Sequence, residues 1–213
     1  MSSQALSSPP PPGRRERRKA ETRARLLDSA RSLFGELGYD ATRPQDIARH
    51  ADLAVGTFYV HFSDKRAAFL AFTDQAAREL MDRVRLEIQQ AEGFEDRLRL
   101  SLEAMLAYSD ENPGVLSACF ADAAVISAGL LPGTSLRERL AQSLAQGLRA
   151  GMARGELHAD FDADVIAAGI VGFVQHALAT AGRAHQRALL DNVTRFCARA
   201  LVSGPVADRR STR

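Results

Sequence analysis

Three aspartates at alternate positions, Asp160, Asp162 and Asp164, have the spacing that opens a calcium-binding loop. Such a loop also needs a glycine at its sixth position and a glutamate that closes it at the twelfth. Val165 stands where the glycine is needed, and no glutamate closes the loop. We therefore expect no metal here. Asp162 is instead predicted to cap the following helix, since its carboxylate can accept hydrogen bonds from free helix amides.

Two cysteines, Cys119 and Cys197, lie far apart in apolar helical patterns and form no CxxC pair. We interpret both as small buried residues of a protein in the reducing cytoplasm. The sequence contains no phosphate-binding glycine loop, no HExxH and no GxSxG motif. It therefore predicts neither an enzyme nor a cofactor.

The composition favours an all-α, globular fold. Of the 213 residues, 46% are hydrophobic and 25% are charged, and good helix formers fill the stretches between glycines and prolines. The most apolar stretch, residues 165–181, is shorter than the roughly 20 residues that span a bilayer, so we expect a core helix and no membrane association.

Charge is distributed unevenly along the chain. Residues 1–66 carry twelve lysines and arginines against eight acidic residues, whereas residues 67–213 carry sixteen against eighteen. The basic run that begins at Arg14 is either a solvated helix face or an arm that reaches a minor groove. The basic end is the candidate nucleic-acid-binding region.

Apolar residues at helical spacing predict a series of helices after a disordered tail at residues 1–13. Gly38 should end the first helix in a left-handed conformation, and Ser63 should cap the fourth. The predicted helices cover residues 14–37, 44–50, 54–61, 63–90, 94–111, 115–128, 135–154, 162–182 and 185–202.

The second and third predicted helices have the features of a helix-turn-helix. This motif needs an inner apolar set that fixes the angle between two short helices, and an outer set that reaches phosphates and bases. The predicted inner set is Ile47, Ala48, Ala51, Leu53, Phe58 and Phe62, and the outward set is Val55, Thr57, Tyr59 and Val60.

Three segments in this region resemble the tetracycline-repressor (TetR) family: residues 38–42, residues 46–48 and residues 56–65. The resemblance covers about Leu26 to Phe72. It implies an N-terminal three-helix helix-turn-helix DNA-binding domain joined to a C-terminal helical bundle for ligand binding and dimerisation. The implied domains are residues 14–65 and 66–204, with a C-terminal tail at residues 205–213.

The resemblance also implies which residues contact DNA. Thr57, Tyr59, His61 and Lys65 match family positions that contact backbone phosphates, and Val55 and Val60 match positions that approach bases. Hydroxyl, imidazole and ammonium groups are suitable donors for phosphate oxygens. The full predicted DNA-binding set is Thr42, Arg43, Val55, Gly56, Thr57, Tyr59, Val60, His61 and Lys65.

The sequence departs from the family pattern at three positions. Arg43 stands where a Ser or Thr cap is usual, although Pro44 at the first helical position partly replaces it. Asp52 stands where a turn glycine is common, and aspartate tolerates left-handed geometry. Ala54 replaces a usual Ser, which should leave the start of the third helix less firmly capped.

The C-terminal part is predicted to hold an unknown small-molecule effector and to form a homodimer through its last two helices. A dimer reads two half-sites of a palindromic double-stranded operator, and the effector releases it. The candidate effector-contact residues are Leu102, Met105, Leu106, Phe120, Phe173 and His176, and the candidate dimer-interface residues are Leu189, Val193, Phe196 and Ala200. For His176, a buried core position is the competing interpretation. The alternatives to a DNA-binding repressor are an all-helical enzyme and a helical dimerisation adaptor.

Overall fold

The computed structural model of the protein describes residues 13–121 and 135–203. α-Helices account for most of these residues, and a short 3-10 turn at Ile88–Gln90 continues the fourth. The helices are α1 Arg14–Ala41, α2 Pro44–His50, α3 Val55–His61, α4 Lys65–Glu87, α5 Gly93–Glu111, α6 Val115–Ala121, α7 Leu136–Ala153, α8 Ala163–Thr180 and α9 Arg183–Leu201. The all-α prediction is confirmed. The part of the predicted 115–128 helix beyond Ala121 lies outside the described residues.

α1 packs on the first half of α4 through a group of aromatic rings, while α2 packs on α1 and on α3. Phe34 of α1 meets Phe69 of α4 edge-on at 5.0 Å between ring centroids and lies 5.8 Å from Phe72. All three rings are buried, as is Phe58 of α3. Edge-to-face and offset contacts of this kind add to the stabilisation from burial itself, so the aromatic cluster fixes how α1 sits on α4.

Three residues predicted to end or cap helices differ in outcome. Gly38 has a φ of 78°, so the regular path of α1 breaks there as expected, although a last turn continues to Ala41. The predicted cap Ser63 is wrong, because the carboxylate of Asp64 accepts the hydrogen bond from the amide of Ala67 at 2.7 Å. Asp162 caps α8 as predicted and accepts from the amides of Asp164 and Val165.

The second half of the described chain is a helical bundle in which α8 packs mainly on α7, and α9 on α5. The loop after α7 is held against the end of α9. His158 donates its amide to Leu201 at 2.9 Å, and Ser203 donates its amide to Glu156 at 3.0 Å. This short antiparallel contact couples the loop to the last helix.

A polar cluster joins α1 to the bundle. The guanidinium of Arg31 donates to Glu79 of α4 at 2.6 Å, to the Tyr108 hydroxyl of α5 at 2.9 Å and to Asn112 at 2.6 Å. Burial of the phenol raises the pKa of Tyr108, which therefore stays protonated and donates to Glu79. Every member is paired, so the cluster orients the N-terminal helices on the bundle without an unsatisfied buried charge.

The backbones of α1 and the turn before α6 come unusually close. Gly114 has a φ of 78°, and a Cβ built there would lie 1.9 Å from the carbonyl oxygen of Gly35. Only glycine fits this backbone conformation and this gap. The contact forms a second connection between the N-terminal helices and the bundle.

α8 is apolar around much of its circumference. By length and composition alone it could cross a membrane, and a core helix passes the same test. In the structure, one face of α8 lies in the protein core through Ala167, Ile170 and Val174. This packing accounts for the apolar character of that face without a bilayer.

Candidate nucleic-acid interface

α2 and α3 are joined by a tight turn at residues 51–54. Asp52 has a φ of 53°, the left-handed conformation that the sequence predicted for it. The amide of Leu53 donates to the carbonyl of Ala48 at 2.9 Å, which closes the turn. The guanidinium of Arg25 on α1 donates to the carbonyl of Ala51 at 2.6 Å. Sequence reasoning missed this last contact, because it joins residues far apart in the chain.

The predicted inner set is confirmed as the packing surface between α2, α3 and α1. Ile47, Ala48 and Phe58 are inaccessible to solvent, and Phe62 is buried beside them. Leu53 packs against this core from the turn. The angle between α2 and α3 is therefore fixed by side-chain packing, which leaves the opposite side of α3 to solvent.

The outer side of α3 presents both apolar and polar groups. Val60 is 69% exposed, and Val55 and Tyr59 are also exposed. The Tyr59 ring meets Phe58 edge-on at 5.3 Å between centroids, which limits how its hydroxyl can swing. Gly56 is exposed and Thr57 half-buried on the same short helix.

Two further predicted DNA-contact residues, Thr42 and Arg43, directly precede α2. Arg43 occupies the N-cap position, is exposed, and makes no side-chain cap, as its residue type predicted. The prediction that Thr42 contacts DNA is wrong. Thr42 is fully buried, and its hydroxyl donates to the carbonyls of Gly38 at 2.7 Å and Leu33 at 3.2 Å. Thr42 therefore holds the turn between α1 and α2.

Lys65 is already engaged within the protein. Its ammonium donates to the carbonyl of Tyr39 at 2.9 Å and lies 4.1 Å from the centroid of the Tyr39 ring. A weaker contact reaches the carbonyl of Asp40. Lys65 thus binds the end of α1 to the start of α4. Any phosphate contact by this residue remains a prediction.

His61 lies where α3 ends near basic residues of α1. Its Nδ1 is buried and has no hydrogen-bond partner among the described residues. Burial lowers the pKa of His61, and the charges of Lys19 and Arg23 lower it further. The guanidinium of Arg23 also lies over the Phe62 ring at 5.1 Å. The basic run from Arg14 is helical and exposed, so positive charge extends along α1 beside α3.

The helix-turn-helix region matches the sequence model of a family described as "Bacterial regulatory proteins, tetR family", over residues 26–72. A curated relative, the HTH-type transcriptional regulator YvdT of Bacillus subtilis, is 24% identical over 101 residues, 47% of this chain and 52% of that protein. The HTH-type transcriptional activator FasR of Mycolicibacterium smegmatis is 29% identical over 92 residues, 43% of this chain and 42% of that protein. The chain spans about half the length of the curated relatives it matches.

The fold agrees over a greater length. A TetR-family transcriptional regulator from Pectobacterium atrosepticum is 26% identical, with a TM-score of 0.67 over 91% of this chain and all of that one. The helix-turn-helix region is therefore that of the tetR family of bacterial regulatory proteins. The bundle from α4 to α9 lies mostly outside the matched residues, and its cavity and surfaces are the remaining candidate sites.

The bundle contains an apolar cavity of about 130 Å³ between α4, α5, α7 and α8. Three predicted contact residues, Leu102, Met105 and Phe120, line it. Leu106 packs against the core and does not line the cavity. Cys119 and Cys197 are buried free thiols, as predicted, and burial raises the pKa of Cys119 to about 12.

The predictions for Phe173 and His176 are wrong. Both side chains are exposed on the outward face of α8, away from the cavity, so His176 is neither a cavity residue nor a core residue. Sequence reasoning missed the lining residues of α4 and α7, among them Met81, Val84 and Leu144. The sequence shows that apolar residues line one face of each of these helices, but it does not show which other helix or cavity that face contacts.

Of the four predicted dimer-interface residues, two are exposed, one is buried and one is half-buried. Phe196 is 67% exposed, and Ala200 is exposed beside it on α9. Val193 is buried in the core of the single chain, so its prediction as an interface residue is wrong. Leu189 is half-buried between these two environments.

Proposed function

We propose that the chain is a DNA-binding transcriptional repressor that binds a palindromic operator as a homodimer and is released by a small molecule. The observation that carries the proposal is the fixed helix-turn-helix with its exposed face on α3. A rigid inner set and an exposed outer set are the features by which such a motif enters a major groove. We place the repressor in the cytoplasm, where the operator is.

The DNA contacts divide into two kinds. Arg43, at the start of α2, and Tyr59 and Thr57, on α3, would bind phosphates and position the protein. Val60 and Val55 would lie against base edges, where methyl groups pack on the thymine methyl in the major groove. Gly56 would allow the backbone of α3 to approach the DNA closely, since it has no side chain.

Binding-site selection from random duplex DNA tests DNA binding and supplies the operator. Arg43→Gln should then lower the slope of log affinity against log salt by about one, because one fewer counterion is released. Arg85→Gln is the matched control, since Arg85 is an exposed arginine near the other end of α4. Equal slopes for wild type and Arg43→Gln would contradict the Arg43 contact, and no selected sequence at all would contradict DNA binding.

Uracil substitution tests base reading by the valines. Replacing thymine by uracil removes only the methyl group, so operator binding should weaken by about 1 kcal/mol at positions that face Val60. Val60→Ala should remove most of the difference between thymine and uracil. A difference that persists unchanged in the variant would show that Val60 does not read that methyl.

The dimer would form through the outward faces of α8 and α9. This surface carries Phe196, Phe173 and Val165, all large, apolar and exposed in the single chain. Gly169 and Gly172 on α8 have open space where a Cβ would stand, so another helix can approach closely there. Large apolar side chains left exposed on two adjacent helices are typical of an interface.

A pair of variants tests the dimer. Phe196→Glu should shift the protein to monomer in sedimentation equilibrium, since a charge would be buried at the interface without a partner. Leu86→Glu is the control, because Leu86 is 65% exposed on α4 and belongs to neither face. A dimer that resists Phe196→Glu would place the interface elsewhere.

The cavity would hold the effector. Met81 and Val84 in the second half of α4 line it, and the first residue of α4, Lys65, holds the end of α1. A ligand that fits only one orientation of α4 would change how the two recognition helices of a dimer are spaced. Such a ligand binds the dimer with that spacing more tightly than the dimer that fits DNA, and this difference in ligand affinity would release the DNA. In vitro transcription from the selected operator separates repression from activation.

A further inference from the structure

One end of the cavity carries charged groups, while the rest of its lining is mostly apolar. Arg97 of α5 and Arg154 and Glu156 of the loop after α7 all border it. Both carboxylate oxygens of Glu156 are bound by Arg154, at 2.5 Å from Nε and 2.9 Å from Nη2. Glu156 is therefore already neutralised by a partner outside α5.

Arg97 is the unmatched charge at this end. Its guanidinium makes no hydrogen bond or ion pair with any side chain in residues 13–121 and 135–203, and it is half-buried. Arg97 acts on Glu156 only through its charge. The hydrogen bond from Arg154 is the main cause that lowers the pKa of Glu156, and the charge of Arg97 lowers this pKa further. Among the described lining residues, two arginines against one glutamate leave this end with a single positive charge.

The charge selects among ligands. A neutral ligand that filled the cavity would cover Arg97 without giving it a partner, which costs free energy. An amine would be repelled. A carboxylate can accept two parallel hydrogen bonds from a guanidinium, and its single charge matches the single excess charge. A dianionic head would be repelled more strongly by Glu156.

The remaining lining suits a hydrocarbon tail. Leu98, Leu102 and Met105 continue along α5 from Arg97 at helical spacing, and Leu144 faces them from α7. We propose that the effector is an amphiphile whose carboxylate head is bound by Arg97 and whose apolar tail lies along this part of the cavity. The inference rests on the proposed function, in that it takes this cavity as the effector site.

The position of the head group also suggests how ligand binding would affect the proposed dimer interface on α9. Glu156 lies in the loop that pairs with the end of α9, and its carbonyl accepts the amide of Ser203. Leu157 in the same loop lines the cavity and packs against Gly151 of α7. A head group bound beside Glu156 therefore meets the loop that positions the last helix.

The test compares decanoate, decanol and decylamine, which share a tail and differ in the head group. Isothermal titration on the full chain, below the micelle concentration of each ligand, should give decanoate a Kd about tenfold lower than decanol. Decylamine should bind more weakly than decanol. Equal binding of decanoate and decanol, tighter binding of the amine, or no binding of any of the three overturns the proposal.

Arginine variants show whether the preference depends on Arg97. Arg97→Gln should weaken decanoate binding about tenfold and leave decanol unchanged, while Arg97→Lys should keep part of the preference. Arg99→Gln is the control on the same helix, since Arg99 is paired with Asp96 and Glu103. The proposal is overturned if Arg97→Gln still prefers decanoate over decanol, or if Arg99→Gln reduces this preference as much as Arg97→Gln does.

Binding of the selected operator, measured in parallel, separates this inference from the proposed function. A protein that binds decanoate through Arg97 but no duplex DNA keeps the carboxylate site and contradicts the repressor. A protein that binds DNA but shows no carboxylate preference contradicts the carboxylate site and keeps the repressor.

Discussion

Substitution of Gly114 by alanine should be the most damaging small change at the junction between the N-terminal helices and the bundle. Two costs combine. The residue has a φ of 78°, and a left-handed conformation costs a side-chain-bearing residue about 1–2 kcal/mol. In addition, the new Cβ would lie 1.9 Å from the carbonyl oxygen of Gly35 and 2.7 Å from its carbonyl carbon.

Gly93 provides a matched control. Its φ is 79°, almost the same, but a Cβ there meets nothing within 4 Å. Gly93→Ala should therefore report the backbone cost alone, about 1 kcal/mol after the smaller entropy of the unfolded alanine chain is counted. In Gly114→Ala, α1 and the turn before α6 must also separate by roughly 1.5 Å to reach an ordinary contact. Overpacking of this kind adds about 2 kcal/mol, so the total should be about 3 kcal/mol.

Urea unfolding followed by far-ultraviolet circular dichroism measures both changes, since the chain has no tryptophan to report by fluorescence. The protomer concentration must be held constant, because the stability of a dimer depends on it. If Gly114→Ala and Gly93→Ala lower the free energy of unfolding equally, the close approach of Gly114 to Gly35 is not present in solution, and the reasoning fails.

Three further changes test other parts of the structure. Arg31→Met should lower the free energy of unfolding by about 2 kcal/mol, since it removes three hydrogen bonds at a half-buried site. The control Arg83→Met breaks only an exposed ion pair and should lower the free energy of unfolding by about 0.5 kcal/mol. Equal losses in the two variants would contradict the role of the Arg31 cluster. Gly147→Ala should raise the free energy of unfolding by about 0.5–1 kcal/mol, because it removes a helix-interior glycine whose Cβ would stand in open space. A loss of stability there would mean that the space is filled in the apo protein. Burial, Lys19 and Arg23 lower the pKa of His61, so the unfolded chain takes up this proton at a higher pH than the folded chain does. The free energy of unfolding should therefore fall as the pH drops below about 6.5. His61→Gln should flatten this fall in melting curves recorded at several pH values, and an unchanged pH profile would refute the assignment to His61.

The sequence determined the elements and the local geometry of the helix-turn-helix. The inner residues Ile47 and Phe58 are buried, and Asp52 adopts the left-handed turn, as their types and spacing predicted. Helix limits were also close to those observed, because glycines, prolines and capping aspartates act within a few residues of themselves. Local rules of this kind can be read without knowing the fold.

Tertiary structure decided which groups were left available for binding. Thr42 has a residue type suited to phosphate, yet it is buried and its hydroxyl is bound to the carbonyls of Gly38 and Leu33. Periodicity could show that α8 and α9 have apolar faces, but not which side meets the core. Val193 therefore turned inward, while Phe173 and His176 turned outward.

The cavity and the junction between the two halves depend on tertiary structure even more strongly. The Arg31 cluster joins residues from three helices, and the charged end of the cavity brings Arg97 beside Glu156, which is distant in sequence. The sequence determined each side chain's chemistry and the face of its helix. Only the packing of the helices against one another determined which charges have partners among the described residues and which, like that of Arg97, have none there.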